Sequence, residues 1–338
     1  MKFKVGSKLV GEDEPCFIIA ENGNNHADSF ENALKIIKIA AECGANAVTF
    51  QHTPIDSYVI KSFYNDARVA YLKDCELTTE QLMLLKAEAN KFRLAFSLNV
   101  EDFDRLELAL QIGIDFVKLC SGDITNLPML ERCAASKKPI FFSTGSATFD
   151  EIQTAFESMR ANGLEEWCIY HTNTRYPTPI EEADLTRMNA INEKFGGVMG
   201  YCDHTADIIP SVAAVARGAK VIEKHITLNR ALRGDDWMVS LEPDEFSTMV
   251  RHIRESESAL KPLIAKKTSD EDPTRTFKRK SIVSKKAIPK GTIITEELLT
   301  YKLPGTGIAP TDYKKLIGKK TSKEIPEDVI IKPDMFEE

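Results

Sequence analysis

A repeating alternation of short apolar runs and amphipathic helical stretches fills about the first 260 residues of the chain. The run CFIIA at residues 16–20 is typical of a buried strand. The stretch that follows from Ser29 repeats its apolar residues at helical spacing until Gly44. The same pair of elements recurs eight times, with strands predicted at residues 16–20, 47–50, 94–98, 116–119, 140–143, 167–170, 198–201 and 221–223. Eight such units predict an α/β fold, a (β/α)8 TIM barrel.

A doubly wound open sheet is the structural rival, because it is built from the same alternation. Many such sheets bind dinucleotides at a Gly-x-Gly-x-x-Gly turn after the first strand. No turn of this kind follows residues 16–20, so the barrel is favoured.

The character of the sequence changes after residue 263. Residues 264–278 are charged, polar and interrupted by Pro273, which is typical of a linker. Residues 279–338 contain short β-like pieces separated by Pro and Gly. We therefore predict a barrel domain at 1–263, a linker at 264–278 and a small β-rich domain at 279–338. A domain of this size has a marginal core, so we expect it to pack on a barrel, its own or that of a partner.

Charge and cysteine usage narrow the function classes. Acidic residues outnumber basic ones by 51 to 44, a net charge of −7, which argues against nucleic acid as the main partner. No apolar run reaches 18 residues, and the first residues lack the features of a signal peptide, so we predict no membrane association. The seven cysteines contain no Cys-x-x-Cys pair. We expect reduced, buried thiols in a cytoplasmic protein.

Polar residues follow each predicted strand, at the end where the active sites of such barrels lie. A barrel with a purely structural role needs no such ring, so the ring predicts an active site. Its members include Glu21, Gln51, Ser121, Asp123, Ser143, Thr174, Arg175, Tyr176, Asp203, His204, Lys224 and His225.

Two kinds of side chain in this ring carry a specific hypothesis. His204 and His225 end neighbouring strands and could share a divalent ion with Glu21 or Asp203; the alternative is that each histidine hydrogen-bonds its own loop. Lys118 lies inside an apolar strand, where it could pair with a phosphate or carboxylate or form a Schiff base. Its structural alternative is an ion pair with Asp123 or Glu21.

Several motifs resemble the sialic acid synthase family, which includes legionaminate, pseudaminate and spore-coat polysaccharide synthases. The matching segments run in order along nearly the whole chain: IIAENGNNHADSFENALKIIKIAAECGANAVTFQ, DFVKLCSGDITNLPML, FFSTG, YPTP, GYCDHT, ARGAKVIEKHITL, SLEPDEF and KSIVSKKAIPKGTIITEELLTYKLPGTGI. The resemblance implies that the final module is an antifreeze-like (SAF) domain, similar to type III antifreeze protein. It also implies a homodimer in which that domain covers the partner's barrel.

The resemblance further implies a reaction and a set of roles. Family enzymes join phosphoenolpyruvate to an N-acetylated hexosamine aldehyde, giving a 2-keto-3-deoxy sugar acid and phosphate. His204 and His225 match the ligands of a divalent metal, for which we expect Mn²⁺ or Mg²⁺. Glu21 matches the general base, and we add Lys118 and Asp203 as catalytic candidates. The positions matching phosphoenolpyruvate contacts are Lys118, Ser121 and Ser143, and those around the sugar are Gln51, Asp123, Tyr176 and Asp236.

Five positions depart from the family pattern. They are Thr49 for a lysine, Leu98 for a threonine, Thr174 for an asparagine, Cys202 for a serine and Leu303 for an arginine. Because two cations are lost, we predict that Arg175, or next Lys224, takes over the anion. The alternatives are an enzyme of the same fold with another donor or substrate, and a non-catalytic homologue.

Overall fold

The structure, a computed structural model, describes residues 1–51, 55–63, 67–262 and 273–337. It divides into two compact units, Met1–Leu260 and Lys261–Glu338. Each unit is described by itself below.

The first unit begins with an antiparallel hairpin of β1 (Lys2–Val5) and β2 (Lys8–Gly11), which sequence analysis did not predict. Its tight turn places Gly6 at φ +57°, a left-handed conformation that glycine adopts readily. The apolar side of the hairpin joins a cluster with Phe17, Phe116 and Phe141, which come from strands of the barrel or lie beside them. The hairpin is thus part of the apolar core of this unit.

Eight parallel strands form a closed barrel, which confirms the predicted fold. They are β3 (Phe17–Glu21), β4 (Ala47–Gln51), β5 (Ala95–Asn99), β6 (Val117–Leu119), β7 (Ile140–Ser143), β8 (Trp167–Thr172), β9 (Val198–Asp203) and β10 (Val221–His225). Strand β10 pairs with both β9 and β3 and so closes the barrel. Strands β8 to β10 each extend two residues beyond the apolar runs, and these extensions carry polar side chains.

Helices lie between the strands, with a break in the description inside the β4–β5 connection. They are α1 (Phe30–Glu42), α2 (Ile55–Tyr58), α3 (Ala67–Asp74), α4 (Thr79–Lys91), α5 (Phe103–Ile112), α6 (Leu127–Ala135), α7 (Phe149–Ala161), α8 (Leu185–Phe195), α9 (Ile209–Ala216) and α10 (Pro243–Leu260). Their starts follow ordinary capping chemistry. Thr78 and Thr148 each form a reciprocal capping box with the residue three positions later, which satisfies amide groups that a helix start leaves without partners.

The second unit contains a short helix, α11 (Pro273–Lys278), and an antiparallel pair, β11 (Ser281–Ser284) and β12 (Leu299–Lys302). A small core of Ile282, Ile288, Ile294 and Ile331 holds it together. Helix α11 falls within the predicted linker 264–278, whose earlier residues to 272 lie outside the described part.

Two further structural observations concern the cysteines and the length of the apolar helices. All seven cysteines are free, as expected for reduced thiols. Within the described ranges, no helix has the length and apolarity needed to cross a membrane.

Candidate active site

A cavity of about 440 Å³ opens at the carboxyl end of the barrel strands. Every strand of the barrel contributes one or more residues to its wall: Glu21, Gln51, Asn99, Lys118, Ser143, Thr172, Cys202, Glu223 and His225. This convergence is the geometry in which barrels of this type carry their active sites.

A buried ion pair forms the floor of the cavity. The Lys118 ammonium lies 2.7 Å from the Glu223 carboxylate, and the two side chains are only 4% and 1% exposed. The Glu223 carboxylate raises the pKa of Lys118 against the opposing effect of burial, so the amine stays protonated. The predicted alternative pairing with Asp123 or Glu21 is therefore replaced by Glu223. A protonated amine is not a nucleophile, which argues against a Schiff base at Lys118.

Glu21 ends β3 next to this pair and accepts two short hydrogen bonds. The Thr49 hydroxyl donates to its Oε2 at 2.6 Å, and the Gly23 amide donates to its Oε1 at 2.6 Å. Burial and the Glu223 carboxylate raise the pKa of Glu21 to about 7, although the Lys118 ammonium and both hydrogen bonds oppose the shift. Near neutral pH this carboxyl group can therefore either accept or release a proton.

The two candidate metal ligands lie side by side, with His204 and His225 ring centroids 5.4 Å apart. His204 Nδ1 lies 2.5 Å from the Asn173 carbonyl oxygen, which can only accept, so Nδ1 carries the proton and Nε2 carries the lone pair. Nε2 accepts from the Tyr176 hydroxyl at 2.7 Å. Burial lowers the pKa of His204 to about 4 and that of His225 well below its usual range. Both imidazoles are neutral at neutral pH, the form that binds metals.

Asp236 lies behind His225, with its Oδ2 3.5 Å from His225 Nδ1. Both atoms are buried, and neither has a hydrogen-bond partner in the described part of the chain. The carboxyl group fits there because residue 23 is a glycine: a Cβ on Gly23 would come within 2.4 Å of Asp236 Oδ2. Burial, together with Asp235 and Glu21, raises the pKa of Asp236 to about 8.

These residues fit a divalent metal as a two-histidine site. The His204 lone pair belongs to a ring in the cavity wall, and His225 lines the same wall as a second neutral imidazole. Among the described residues, no three His, Cys, Asp or Glu side chains converge as a complete ligand cage. The remaining ligands of such a metal would therefore be water or substrate oxygens.

The other predicted site residues divide into two groups. Those in the cavity wall are Gln51, Ser121, Ser143, Thr174 and Tyr176. Those outside it are Asp123, Arg175, Asp203, Lys224 and Asp236, although Asp236 contacts the wall through His225. Ser121 is held by the Gly145 amide, which donates to its hydroxyl at 3.0 Å.

Neither cation that we predicted as a replacement for the lost ones reaches the cavity. Arg175 is exposed and pairs with Glu182 at 2.7 Å. Lys224 is fully buried, donates to the carbonyl oxygens of Thr205 and Asp207, and lies 3.3 Å from Asp203. A lysine held by three oxygens behind the wall supports the loop after β9 and lies outside the cavity wall.

Sequence reasoning missed three charged residues of the wall. Glu223 is a carboxylate inside an apolar strand, and the argument that singled out Lys118 would also have found it. Arg68, in the first turn of α3, and Asp235, in the loop between β10 and α10, form an ion pair at 2.9 Å. No local pattern marks either of them, because only the fold brings residues 167 positions apart together.

Comparison with known protein families and structures decides the relationship. Residues 36–264 match the model described as the NeuB family, and residues 279–337 match the SAF domain. The chain belongs to the NeuB family. It is 37% identical to the N,N'-diacetyllegionaminic acid synthase of Campylobacter jejuni, over 93% of this chain and 98% of that protein. It is 31% identical to the human N-acetylneuraminate-9-phosphate synthase, over 98% and 95%.

Solved structures agree with this relationship. The N-acetylneuraminic acid (sialic acid) synthetase of Leptospira borgpetersenii in complex with citrate superimposes with a TM-score of 0.75 at 30% identity, covering 80% of this chain and 95% of that one. The spore coat polysaccharide biosynthesis protein of Bacillus subtilis gives 0.70 at 31%, covering 100% and 99%. This NeuB-family chain is therefore an enzyme of a family of carbon–carbon bond-forming synthases, with a TIM barrel and a SAF domain.

The buried ion pair generates a stability prediction. Lys118→Met leaves the Glu223 carboxylate buried without its cation, which should lower the free energy of unfolding by about 3–5 kcal/mol. Adding Glu223→Gln to the same chain should restore about half or more of the loss, because no unpaired charge is then left. Chemical denaturation measures both changes.

The matched control is Arg132→Met, which breaks the exposed Arg132–Glu107 pair on the outer helices and should change stability by about 1 kcal/mol or less. A Lys118→Met protein as stable as the parent would show that the pair does not hold the cavity floor.

Proposed function

We propose that this protein condenses phosphoenolpyruvate with an N-acetylated hexosamine-type aldehyde, in a metal-dependent reaction that gives a 2-keto-3-deoxy sugar acid and phosphate. The observation that carries the proposal is the convergence of a buried ammonium, a carboxyl group with a pKa near 7 and two neutral imidazoles on one cavity. Membership of the NeuB family supports it. In the reaction, C3 of phosphoenolpyruvate bonds to the aldehyde carbon, water supplies an oxygen at C2, and phosphate leaves.

Phosphoenolpyruvate carries a phosphate and a carboxylate, and both need donors. Lys118 provides a permanent positive charge at the floor, and the hydroxyls of Ser121 and Ser143 lie in the same wall. Charge-assisted hydrogen bonds of this kind contribute about 1.5–3 kcal/mol each. We therefore assign these three residues to the donor substrate.

Glu21 is the group that we assign to proton transfer. Its pKa near 7 allows it to take a proton from the water that attacks C2 and to return it when phosphate leaves. The hydroxyl of Thr49 fixes one of its oxygens, and the amide of Gly23 fixes the other. The carboxyl group is thus oriented before substrate binds.

His204 and His225 would hold the metal, for which we propose Mn²⁺ or Mg²⁺. When bound, the metal supplies a Lewis acid that polarises the aldehyde. The Asn173 carbonyl fixes the His204 tautomer, so that Nε2 is available as a ligand. The Tyr176 hydroxyl, now on Nε2, would be released to meet a sugar oxygen. We assign Gln51 and Thr174, the two remaining predicted site residues in the wall, to the sugar.

Two proposals extend beyond the cavity. We propose that the chain works as a homodimer whose SAF domain covers the partner's barrel, on the basis of its family and its small second core. We also propose a cytoplasmic location, because seven free thiols suit a reducing compartment.

The activity is tested by incubating the enzyme with phosphoenolpyruvate, Mn²⁺ and a panel of N-acetylated hexosamines. Phosphate release is measured together with the mass of the product. We expect release to depend on an acceptor and the product mass to equal the acceptor plus the three-carbon acid. If none of the acceptors triggers phosphate release from phosphoenolpyruvate, or if the enzyme uses pyruvate as the donor instead, the proposal is wrong.

Metal binding gives a second prediction. His204→Ala and His225→Ala should each lower the affinity for Mn²⁺ by about 10-fold or more and abolish activity, since each removes one of two protein ligands. Elemental analysis and titration calorimetry measure the binding. His252→Ala is the control, because His252 lies on α10 and pairs with Glu255 outside the cavity. Unchanged metal content in both variants would refute the assignment.

The dimer gives a third prediction. Sedimentation of the full chain at micromolar concentration should give twice the mass of one chain. The reason is that, in the proposed dimer, the SAF domain of each chain contacts the barrel of its partner. A monomer under these conditions would contradict the proposed assembly.

A further inference from the structure

The thiol of Cys202 lies between the floor of the cavity and the first of the two candidate metal ligands. Its Sγ is 3.4 Å from His204 Nε2 and 3.2 Å from Glu223 Oε1. Cys202 lies on β9, is buried and lines the cavity. It is also one of the five positions predicted from the sequence to depart from the family pattern, where serine is usual. The chain therefore places a sulfur atom beside the imidazole nitrogen that is available to a metal.

No proton is required between the sulfur and this nitrogen. The Asn173 carbonyl holds the ring proton of His204 on Nδ1, so Nε2 presents its lone pair and accepts from the Tyr176 hydroxyl. The thiol has a single proton, which it donates to the Glu223 carboxylate, the charged acceptor beside it. A lone pair on Sγ is then left on the side of Nε2. Two lone pairs thus lie next to each other in the cavity wall.

The distance between the two atoms suits ligands of one metal ion. An ion such as Zn²⁺ bonds sulfur at about 2.3 Å and imidazole nitrogen at about 2.0–2.1 Å. At these bond lengths, ligand atoms 3.4 Å apart subtend an angle of about 100–105° at the metal, within about 10° of the tetrahedral angle. A metal can therefore bond Cys202 and His204 together with little movement of either side chain.

His225 is placed to complete the set. Its ring centroid lies 5.4 Å from that of His204, and its Nδ1 has no hydrogen-bond partner in the part of the chain that the structure describes. Among the described residues, no three His, Cys, Asp or Glu side chains already converge on one point, so the His225 ring would have to turn toward the metal. No hydrogen bond at Nδ1 opposes that rotation. The result would be one sulfur and two nitrogen ligands with a position left open.

We propose that Cys202 is a third metal ligand and that it gives the His204–His225 site a preference for thiophilic divalent ions, such as Co²⁺ and Zn²⁺, that serine would not give. Sulfur is a soft ligand that bonds these ions strongly, whereas Mg²⁺ and Mn²⁺ prefer oxygen and would bind the imidazoles without it. When a thiophilic ion binds, the Sγ–metal bond forms, the S–H bond breaks and the proton passes to water, with no transfer of electrons. This inference rests on the metal site of the proposed function and adds the class of ion that the site selects.

The test adds Co²⁺ to the metal-free full-length protein and records the absorption spectrum. We expect a near-ultraviolet charge-transfer band, the signature of a bond between cobalt and a thiolate. Cys202→Ser should remove the band and lower the Co²⁺ affinity by about 10-fold or more, while the Mn²⁺ affinity changes by less than about 3-fold. Titration calorimetry measures both affinities. Nitrogen ligands alone already favour Co²⁺ over Mn²⁺, so the informative quantity is the change in this preference between parent and variant.

The matched control is Cys120→Ser, because Cys120 is another thiol of the same cavity wall, and this variant should keep the band. Serine at position 202 keeps a donor for Glu223, and Cys202→Ala is a second variant that removes the sulfur; circular dichroism checks that each is folded. If Co²⁺ binds the parent without the band, or if the band survives in either Cys202 variant, the inference is wrong while the proposed metal site stands. If the parent binds neither Co²⁺ nor Mn²⁺, the proposed metal site fails and the inference fails with it.

Discussion

The ion pair between Lys118 and Glu223 governs the chemistry of the cavity. Two opposite charges buried in the barrel are tolerated only because they lie 2.7 Å apart. The Glu223 carboxylate keeps Lys118 protonated and also raises the pKa of Glu21. One carboxylate thus creates both a permanent cation for an anionic substrate and a neighbouring group able to exchange protons near pH 7. The same pair argues against amine chemistry at Lys118, since the nucleophile would have to lose a proton that Glu223 stabilises.

The eight strands of the barrel could be predicted because their apolar runs are short and regularly spaced. The carboxyl ends of three of these strands were predicted two residues too early, and the three errors have one cause. Strands β8, β9 and β10 continue through Thr172, Asp203 and His225, where the apolar run has already stopped. Apolar periodicity reports which residues face a core. At the carboxyl end of this barrel the strands face a polar cavity, so the pattern ends before the strand does. The N-terminal hairpin was missed for a different reason, since Lys2, Lys4 and Lys8 leave it without the continuous apolar run that marks the barrel strands.

The candidate site was partly predictable. The rule that site residues follow the barrel strands correctly placed five residues in one cavity, because the carboxyl ends of parallel strands meet. They are Glu21, Gln51, Ser143, His204 and His225. The same rule could not say which way a side chain points. Lys224 alternates with Glu223 and His225 on β10, so it faces away from the cavity that they line. Arg175 lies in a loop, where neighbouring Thr174 and Tyr176 reach the cavity and it does not. Orientation of this kind is a property of the folded chain.

Two of the five positions predicted from the sequence to depart from the family pattern share one physical feature. Thr49 donates a hydrogen bond to Glu21, and Cys202 donates one to Glu223 at 3.2 Å. Both departures therefore place hydrogen-bond donors against carboxylates of the wall, where they stabilise negative charge on the protein. Neither Thr49 nor Cys202 supplies a positive charge for the substrate, and Arg68 of the cavity wall forms an ion pair with Asp235. In the proposed reaction, binding of the anionic donor would then depend on Lys118 and on the proposed divalent metal at His204 and His225. Because Lys118 is the one buried cation of the described cavity wall, we expect the proposed metal to contribute to phosphoenolpyruvate affinity as well as to chemistry.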